Sequence, residues 1–171
     1  ARPRVAVLIG GNSRTHKMTN DVARNLVQRI SSFLNKGFGV MVTCSRRTPA
    51  AQQKLLYDAI AAHKSCFFWD GSGANPYQGM LSWADIIIVS EDSVSMASEA
   101  IETGKPVYIA RMSGGSKRFA RFHSYIIDCG FARWLDVGLP FDPLRPMIAS
   151  KAWKRVCKQN FTQARRGSMR W

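Results

Sequence analysis

The residues best suited to bind a ligand lie between positions 90 and 104, where polar side chains follow an apolar run. Asp92, Ser93 and Ser95 carry short oxygen-bearing side chains that can cap a helix start. The exposed N–H groups of a helix start, at the positive end of its dipole, form an anion site that phosphate fits well. Glu99 follows in the same predicted helix, where its carboxylate could accept hydrogen bonds from ribose hydroxyls. An ordinary capped helix with a surface glutamate is an equally good interpretation of this pattern alone.

Hydrophobic patterns predict the elements that position these residues. Ile86–Val89 is a continuous run of β-branched residues, which is typical of a strand buried on both faces of a parallel sheet. Apolar residues then recur at spacings of three and four from position 94 to position 101, as in a helix. Gly104 favours the end of that helix, and Val107–Ala110 is the next predicted strand. The segment is therefore predicted to form strand, helix and strand.

A second group of candidate ligands follows the first predicted strand, Val5–Ile9. Gly10 and Gly11 allow the backbone to approach a ligand closely. Several side chains just after them could reach a phosphate: Ser13, Arg14, Thr15 and Lys17. The loop lacks the G-x-G-x-x-G pattern of dinucleotide-binding proteins, which argues against NAD and a dehydrogenase. A tight strand-to-helix turn with solvated charges is the alternative for this loop.

Basic residues follow two further predicted strands. Arg46 and Arg47 lie between the strand Phe38–Thr43 and a helix that Thr48 would cap. They could bind an anion or form an exposed basic turn. Lys117 belongs to a glycine-containing loop after the fifth strand.

Five predicted strands alternate with helices, which indicates an α/β fold with a doubly wound parallel sheet of order 3-2-1-4-5. The type of the short element 131–135 stays open. In this order strands 1 and 4 are neighbours, and the topology reverses between them. Ligands bind at such a point, outside the carboxyl ends of the strands. The loops Gly10–Thr15 and Ser90–Ser95 meet there, so topology and chemistry independently predict a phosphate-ligand site. The predicted strands are Val5–Ile9, Phe38–Thr43, Cys66–Trp69, Ile86–Val89 and Val107–Ala110.

The net charge of +14 comes from 25 basic and 11 acidic residues, and it calls for an anionic partner or an acidic neighbouring domain. Phosphorylated ligands, an anionic membrane surface and nucleic acid all qualify, but no nucleic-acid-binding motif is present, so we expect no specific nucleic-acid partner. The four cysteines and three histidines lack the spacing of a zinc site, so we assign no metal and expect reduced thiols in the cytoplasm. No apolar run is long enough to span a membrane, and residues 1–4 lead directly into a predicted strand.

The polar loops resemble those of a known group. The matching segments are Gly10-Gly11-Asn12-Ser13, Ser45-Arg46-Arg47-Thr48, Asn75-Pro76-Tyr77 and Glu91 to Met96. They are similar to the mitochondrial-fission (elongated-mitochondria) family and its bacterial relatives. The glycine turn after the first strand, followed by Asp92–Ala100 and Thr103–Val107, is similar to the C-terminal domain of GT-B glycosyltransferases. The resemblance covers most of residues 4–160. It implies a Rossmann-like nucleotide-sugar-binding domain at 1–145, a helix at 146–160 that crosses back to an absent N-terminal domain, and a basic tail at 161–171 that we expect to be disordered.

The resemblance also implies a ligand, a nucleoside-diphosphate sugar such as a UDP-sugar, bound with no metal and no other cofactor. Glu99 would bind the ribose hydroxyls, and the start of the following helix would bind the diphosphate. The first loop would add a phosphate contact, while arginine or lysine side chains would neutralise the leaving diphosphate. The implied ligand-binding residues are Gly10, Gly11, Asn12, Ser13, Arg14, Arg46, Asp92, Ser93, Val94, Ser95, Glu99 and Lys117.

The functional expectation is half of a glycosyltransferase-like protein. GT-B enzymes usually carry the acceptor site and catalytic base in the N-terminal half, so this chain would bind a donor without completing transfer, and no catalytic residue is assigned. The alternative is a non-enzymatic adaptor with a GT-B shape, acting in organelle fission or envelope assembly. Plant members of the family resembled act on the mitochondrial surface, where they bring in a dynamin-related protein. The expected location is the cytoplasm, with attachment to a bacterial inner membrane or mitochondrial outer surface as a variant.

Overall fold

The computed structural model describes residues 3–135. The predicted domain boundary at 145, the crossover helix 146–160 and the basic tail 161–171 lie outside these residues. The helices are α1 (Asn20–Asn35), α2 (Ala50–Ile60), α3 (Tyr77–Trp83), α4 (Val94–Glu102) and α5 (Lys117–Asp128). The strands are β1 (Arg4–Ile9), β2 (His16–Lys17), β3 (Gly39–Cys44), β4 (Cys66–Trp69), β5 (Ile86–Ser90), β6 (Val107–Ala110), β7 (Ser113–Gly114) and β8 (Arg133–Trp134). None of these five helices combines the length and apolar character needed to cross a bilayer.

Six strands form a parallel sheet in the order β4-β3-β1-β5-β6-β8. This confirms the predicted α/β class. It also confirms the predicted order 3-2-1-4-5, because the five predicted strands correspond to β1, β3, β4, β5 and β6. The sixth strand is the element that the sequence left open. It is only two residues long, and Arg133 and Trp134 pair with Tyr108 and Ile109 at the edge of the sheet. Such a short strand shows no alternation of its own and depends on a formed neighbour.

Alternate residues of β1 face two different helical layers, because successive side chains of a strand point to opposite faces. Val5, Val7 and Ile9 pack in a core with buried residues of α1 and α2. Ala6 and Leu8 pack in a second core with buried residues of α3, α4 and α5. The continuous apolar runs in β1 and β5 follow from burial of both sheet faces.

A separate two-stranded ribbon joins the loops that follow β1 and β6. In this ribbon β2 and β7 are antiparallel, with His16 opposite Gly114 and Lys17 opposite Ser113. The ribbon holds the start of α5 beside the loop 10–15. Two-residue strands have no sequence period, so the sequence patterns do not predict this connection.

Candidate functional site

The candidate site lies at the carboxyl ends of β1, β3, β5 and β6. β1 and β5 are neighbours in the sheet, and the chain continues in opposite directions from them, to β3 on one side and β6 on the other. The loops after these four strands therefore lie along one edge of the sheet. This is the position at which open α/β sheets bind ligands.

Asp92 is at the centre of this edge, and its side chain has no exposed surface. Its Oδ2 atom accepts hydrogen bonds from the Gly11 N–H at 3.0 Å and from Arg47 Nη2 at 2.9 Å. Its Oδ1 atom accepts the Ser90 hydroxyl at 2.6 Å, and Ser90 Oγ in turn accepts the Gly10 N–H at 2.7 Å. Asp92 thus ties together the loops after β1, β3 and β5. The sequence placed Asp92 among the ligand contacts. The structure instead buries its side chain between these loops, where it holds them together.

Gly10 and Gly11 permit close packing of the first loop against the rest of the chain. A Cβ atom added at Gly10 would lie 2.2 Å from the Asp92 carboxylate oxygens. At Gly11 it would lie 2.1 Å from the backbone carbonyl of Arg47. The Thr48 hydroxyl also donates a hydrogen bond to the Gly10 carbonyl. In this structure the two glycines let the loop backbone approach other parts of the chain, namely the Asp92 side chain and the Arg47 backbone.

The next two residues of the loop also use their backbone N–H groups within the chain. Asn12 donates to the carbonyl oxygen of Arg47 at 2.9 Å, and Ser13 donates to that of His16 at 2.9 Å. The N–H groups of residues 10–13 are therefore all engaged in this structure. The loop can offer a phosphate its side chains, among which Asn12 and Arg14 are exposed.

The start of α4 differs from this loop, because its first N–H groups are available. Ser93 is the N-cap, and its Oγ atom accepts the Met96 N–H at 3.3 Å. Val94 and Ser95 are exposed, and their N–H groups make no hydrogen bond within residues 3–135. The first N–H groups of a helix have no partner in the helix itself and carry its positive partial charge. A helix start with such groups is suited to an anion.

Glu99 lies on the same side of α4 as Ser95, since residues four apart share a helix face. The two residues are separated by about 6 Å along the helix axis. Glu99 is exposed and faces a hollow of about 740 Å³ between α3 and α4, which is also lined by Glu102 and Lys105. The Tyr77 hydroxyl donates a hydrogen bond to Glu99 Oε2 at 2.5 Å. Burial, together with the hydrogen bond to Glu99 and its charge, raises the pKa of Tyr77 well above its usual value, so the phenol stays a donor.

The remaining predicted ligands are exposed cations around the crevice. Arg14 lies in the loop after β1, Arg46 in the loop after β3, and Lys117 begins α5. The sequence offered both Arg46 and Arg47 as possible anion ligands, and only Arg46 entered the predicted ligand set. The guanidinium of Arg47 binds Asp92, the residue that precedes the cap of α4. Sequence reasoning missed Tyr77 as the partner of Glu99. Both contacts join residues far apart in the chain, and no local pattern marks them.

Two buried histidines lie near the site, His16 in the ribbon strand β2 and His123 in α5. The Nδ1 atom of His16 is 3.0 Å from the Thr15 hydroxyl, and its ring meets Phe119 edge-on at 4.6 Å. His123 is buried, and neither ring nitrogen has a side-chain hydrogen-bond partner within the described chain. Burial lowers the pKa of His123, although the charge of Glu91 opposes the shift. The residues from 3 to 135 contain no group of three side chains placed to hold a metal ion.

Comparison with known proteins places the chain in a family. The family model described as mitochondrial fission ELM1 matches residues 1–160. The chain belongs to this family. The match confirms the resemblance drawn from the polar loops.

Two curated relatives of the ELM1-family chain show how much of a longer protein it resembles. The mitochondrial fission protein ELM1 of Arabidopsis thaliana is 32% identical over 132 residues, which cover 77% of this chain and 31% of that protein. The uncharacterized protein RP120 of Rickettsia prowazekii (strain Madrid E) is 37% identical over 111 residues, covering 61% of this chain and 30% of that protein. The matched part of the chain thus spans about a third of the length of these curated relatives.

Solved structures give the fold of the ELM1-family chain. The UDP-GlcNAc 2-epimerase of Methanocaldococcus jannaschii, solved in complex with UDP-GlcNAc and UDP, matches with a TM-score of 0.58 and 14% identity. The match covers 94% of this chain and 46% of that one. Similarity at this level of identity concerns the fold alone, and it confirms a Rossmann-like domain of the GT-B type.

Proposed function

We propose that this ELM1-family chain is the nucleotide-sugar-binding part of a glycosyltransferase-like protein. The observation that carries the proposal is the pairing of two features on one exposed face of α4. Free N–H groups begin the helix at Val94 and Ser95, and a carboxylate follows at Glu99. These two features suit a nucleoside diphosphate, because they supply donors for its phosphates and an acceptor for its ribose hydroxyls. The complex of the epimerase neighbour with UDP-GlcNAc supports the choice of ligand class.

Arg47 adds positive charge next to the helix start. Its guanidinium donates to Asp92, which directly precedes the N-cap Ser93, and its side chain is 46% exposed. A guanidinium has five N–H donors, so this contact leaves others for a phosphate. Arg14, Arg46 and Lys117 would supply further charge around the diphosphate, and the first loop would contribute through side chains rather than through N–H groups.

The matched substitutions Glu99→Ala and Glu102→Ala test the ribose contact. Both residues are exposed, carry the same charge and line the same hollow, but Glu102 lies one turn further from the helix start. We expect Glu99→Ala to weaken UDP binding by about 1–2 kcal/mol, toward the lower end of the range for hydrogen bonds to a charged group because Glu99 is exposed. This is a rise in Kd of roughly 5- to 30-fold. Calorimetric titration should show little change for Glu102→Ala, and equal losses in both variants would refute a specific role for Glu99.

Ser95→Ala tests the diphosphate contact. We expect this variant to bind UDP more weakly than the unchanged chain, because the hydroxyl at the helix start can donate to a phosphate oxygen. Uridine lacks the phosphates, and its affinity should not change. An equal loss for both ligands would contradict the assignment.

A second candidate function is a non-enzymatic adaptor that keeps the GT-B shape. One observation favours it. The N–H groups of residues 10–13 are all used inside the chain, and the space beside Gly10 is filled by the Asp92 carboxylate. An adaptor would use the rest of the longer protein, an acidic protein or an anionic membrane surface as the counterpart of its +14 charge. A folded chain that binds no nucleotide would favour this function.

A further inference from the structure

We infer that Tyr77 positions Glu99 for the ribose hydroxyls, and that this pair makes the proposed site select ribonucleotides over 2′-deoxyribonucleotides. The inference rests on the proposed function and names the part of the ligand that the Tyr77–Glu99 pair recognises. Its basis is the hydrogen bond from the Tyr77 hydroxyl to Glu99 Oε2, which joins the first turn of α3 to the exposed face of α4.

Tyr77 is itself held at two points. Its N–H donates to the Asn75 side chain at 3.0 Å, which fixes the start of α3. Its ring is partly buried and packs against the second core, the one formed with Ala6 and Leu8. The hydroxyl therefore has a defined position, and the order of the Tyr77 ring does not depend on the contact with Glu99.

Glu99 would be mobile without this contact, because an exposed glutamate samples several rotamers. Ordering such a side chain costs conformational entropy. The Tyr77 hydroxyl engages one carboxylate oxygen, and a carboxylate can accept about four hydrogen bonds in all. Oε1 and the remaining acceptor positions of Oε2 stay available to a ligand. A binding group that is ordered in advance loses less entropy on binding.

Glu102 shows the contrast within the same hollow. It has the same chemistry as Glu99 and is also exposed, but its carboxylate makes no hydrogen bond or ion pair inside residues 3–135. The structure thus orders only one of the two carboxylates, and it orders the one nearer the helix start. An acceptor-only carboxylate at that position matches two adjacent donors such as the 2′- and 3′-hydroxyls of a ribose. Loss of the 2′-hydroxyl removes one of these donors.

The test compares ribonucleotide and deoxyribonucleotide binding to the unchanged chain, Tyr77→Phe, Glu99→Gln and the double variant. UDP and GDP are titrated calorimetrically together with their 2′-deoxy analogues. We expect the unchanged chain to prefer the tighter-binding ribonucleotide about tenfold or more, the effect of one hydrogen bond to a charged group. Tyr77→Phe keeps the ring and should reduce this ratio several-fold, mainly through weaker ribonucleotide binding. A merely structural role for Tyr77 would lower both affinities together and leave the ratio unchanged.

The double variant separates positioning from direct contact. If Tyr77 acts through Glu99, adding Tyr77→Phe to Glu99→Gln should change the ratio no further. A clear preference in the unchanged chain that Tyr77→Phe does not reduce would overturn the inference while leaving the proposed function intact. Absence of saturable binding by UDP and GDP to the folded, unchanged chain would overturn the proposed function and this inference with it.

Discussion

Asp92→Ala removes the acceptor that joins three loops of the site. Among single substitutions of polar residues in the site, we expect it to lower the stability of the chain most. Three hydrogen bonds end on its carboxylate, from the Gly11 N–H, the Ser90 hydroxyl and the Arg47 guanidinium. Hydrogen bonds to charged groups contribute about 1.5–3 kcal/mol each, and a buried N–H left without an acceptor costs about 1–3 kcal/mol. The half-exposed arginine can turn to water, which lowers the sum. We therefore expect a loss of about 3–4 kcal/mol in the free energy of unfolding.

Arg47→Ala perturbs the same pair from its exposed side. It leaves the Asp92 carboxylate buried without its counter-charge, but the hydrogen bonds from Gly11 and Ser90 remain. Breaking a fully buried pair costs about 3–5 kcal/mol, and water can reach this site through the space of the lost side chain, so we expect about 2 kcal/mol. In the double variant, the loss in the free energy of unfolding should be smaller than the sum of the two single losses by about 1 kcal/mol or more. The reason is that Asp92 and Arg47 share one interaction.

Urea unfolding followed by tryptophan fluorescence measures these changes, and Asp85→Ala is the matched control. Asp85 precedes β5 as Asp92 follows it, and it pairs with Arg4, but both of these side chains are more than 40% exposed. Exposed pairs contribute at most about 1 kcal/mol. Equal small losses for Asp85→Ala and Asp92→Ala, or strict additivity of the Asp92 and Arg47 variants, would refute the reasoning from burial.

Three further outcomes follow from packing and burial. Gly11→Ala should destabilise by about 3 kcal/mol or more, because its Cβ would overlap the backbone of residue 47, whereas Gly79→Ala in α3 meets no atom within 4 Å and should be neutral or stabilising in the same urea assay. Burial lowers the pKa of His123, so the unfolded chain binds a proton first and stability should fall as the pH drops below the ordinary value of 6.5. His123→Phe should reduce this pH dependence, and an unchanged profile would contradict the assignment. Burial raises the pKa of the Cys44 thiol to about 12. Iodoacetamide at pH 8 should therefore label the exposed Cys129 rapidly, and it should label Cys44 only when the chain unfolds. Peptide mass mapping measures the labelling of each cysteine.

The sheet could be predicted because its strands are specified locally. β1 and β5 are continuous apolar runs, which is what burial on both faces requires, and right-handed crossovers then leave few possible orders. The end of α4 could also be predicted, and Gly104 adopts a left-handed φ of 71° at the expected position. Features with no period of their own were not predicted, such as the two-residue ribbon formed by β2 and β7.

The candidate site was predictable in position but not in the roles of its residues. The sequence shows short polar side chains at the start of α4, and Ser93 does cap the helix. It does not show that the N–H of Gly11, 81 positions earlier, takes Asp92 as its acceptor. The contact between Tyr77 and Glu99 depends in the same way on how α3 and α4 pack. Such roles arise from tertiary contacts, and local spacing carries no signal for them.

Calorimetric titration of the chain with UDP, UDP-N-acetylglucosamine, GDP and NAD, at two salt concentrations, tests the central claim most directly. We expect one uridine or guanosine diphosphate ligand to bind saturably at one site, with lower affinity at higher salt because phosphate contacts are screened. NAD should bind much more weakly. Absence of saturable binding by every nucleoside diphosphate to this folded chain would contradict the account and favour an adaptor.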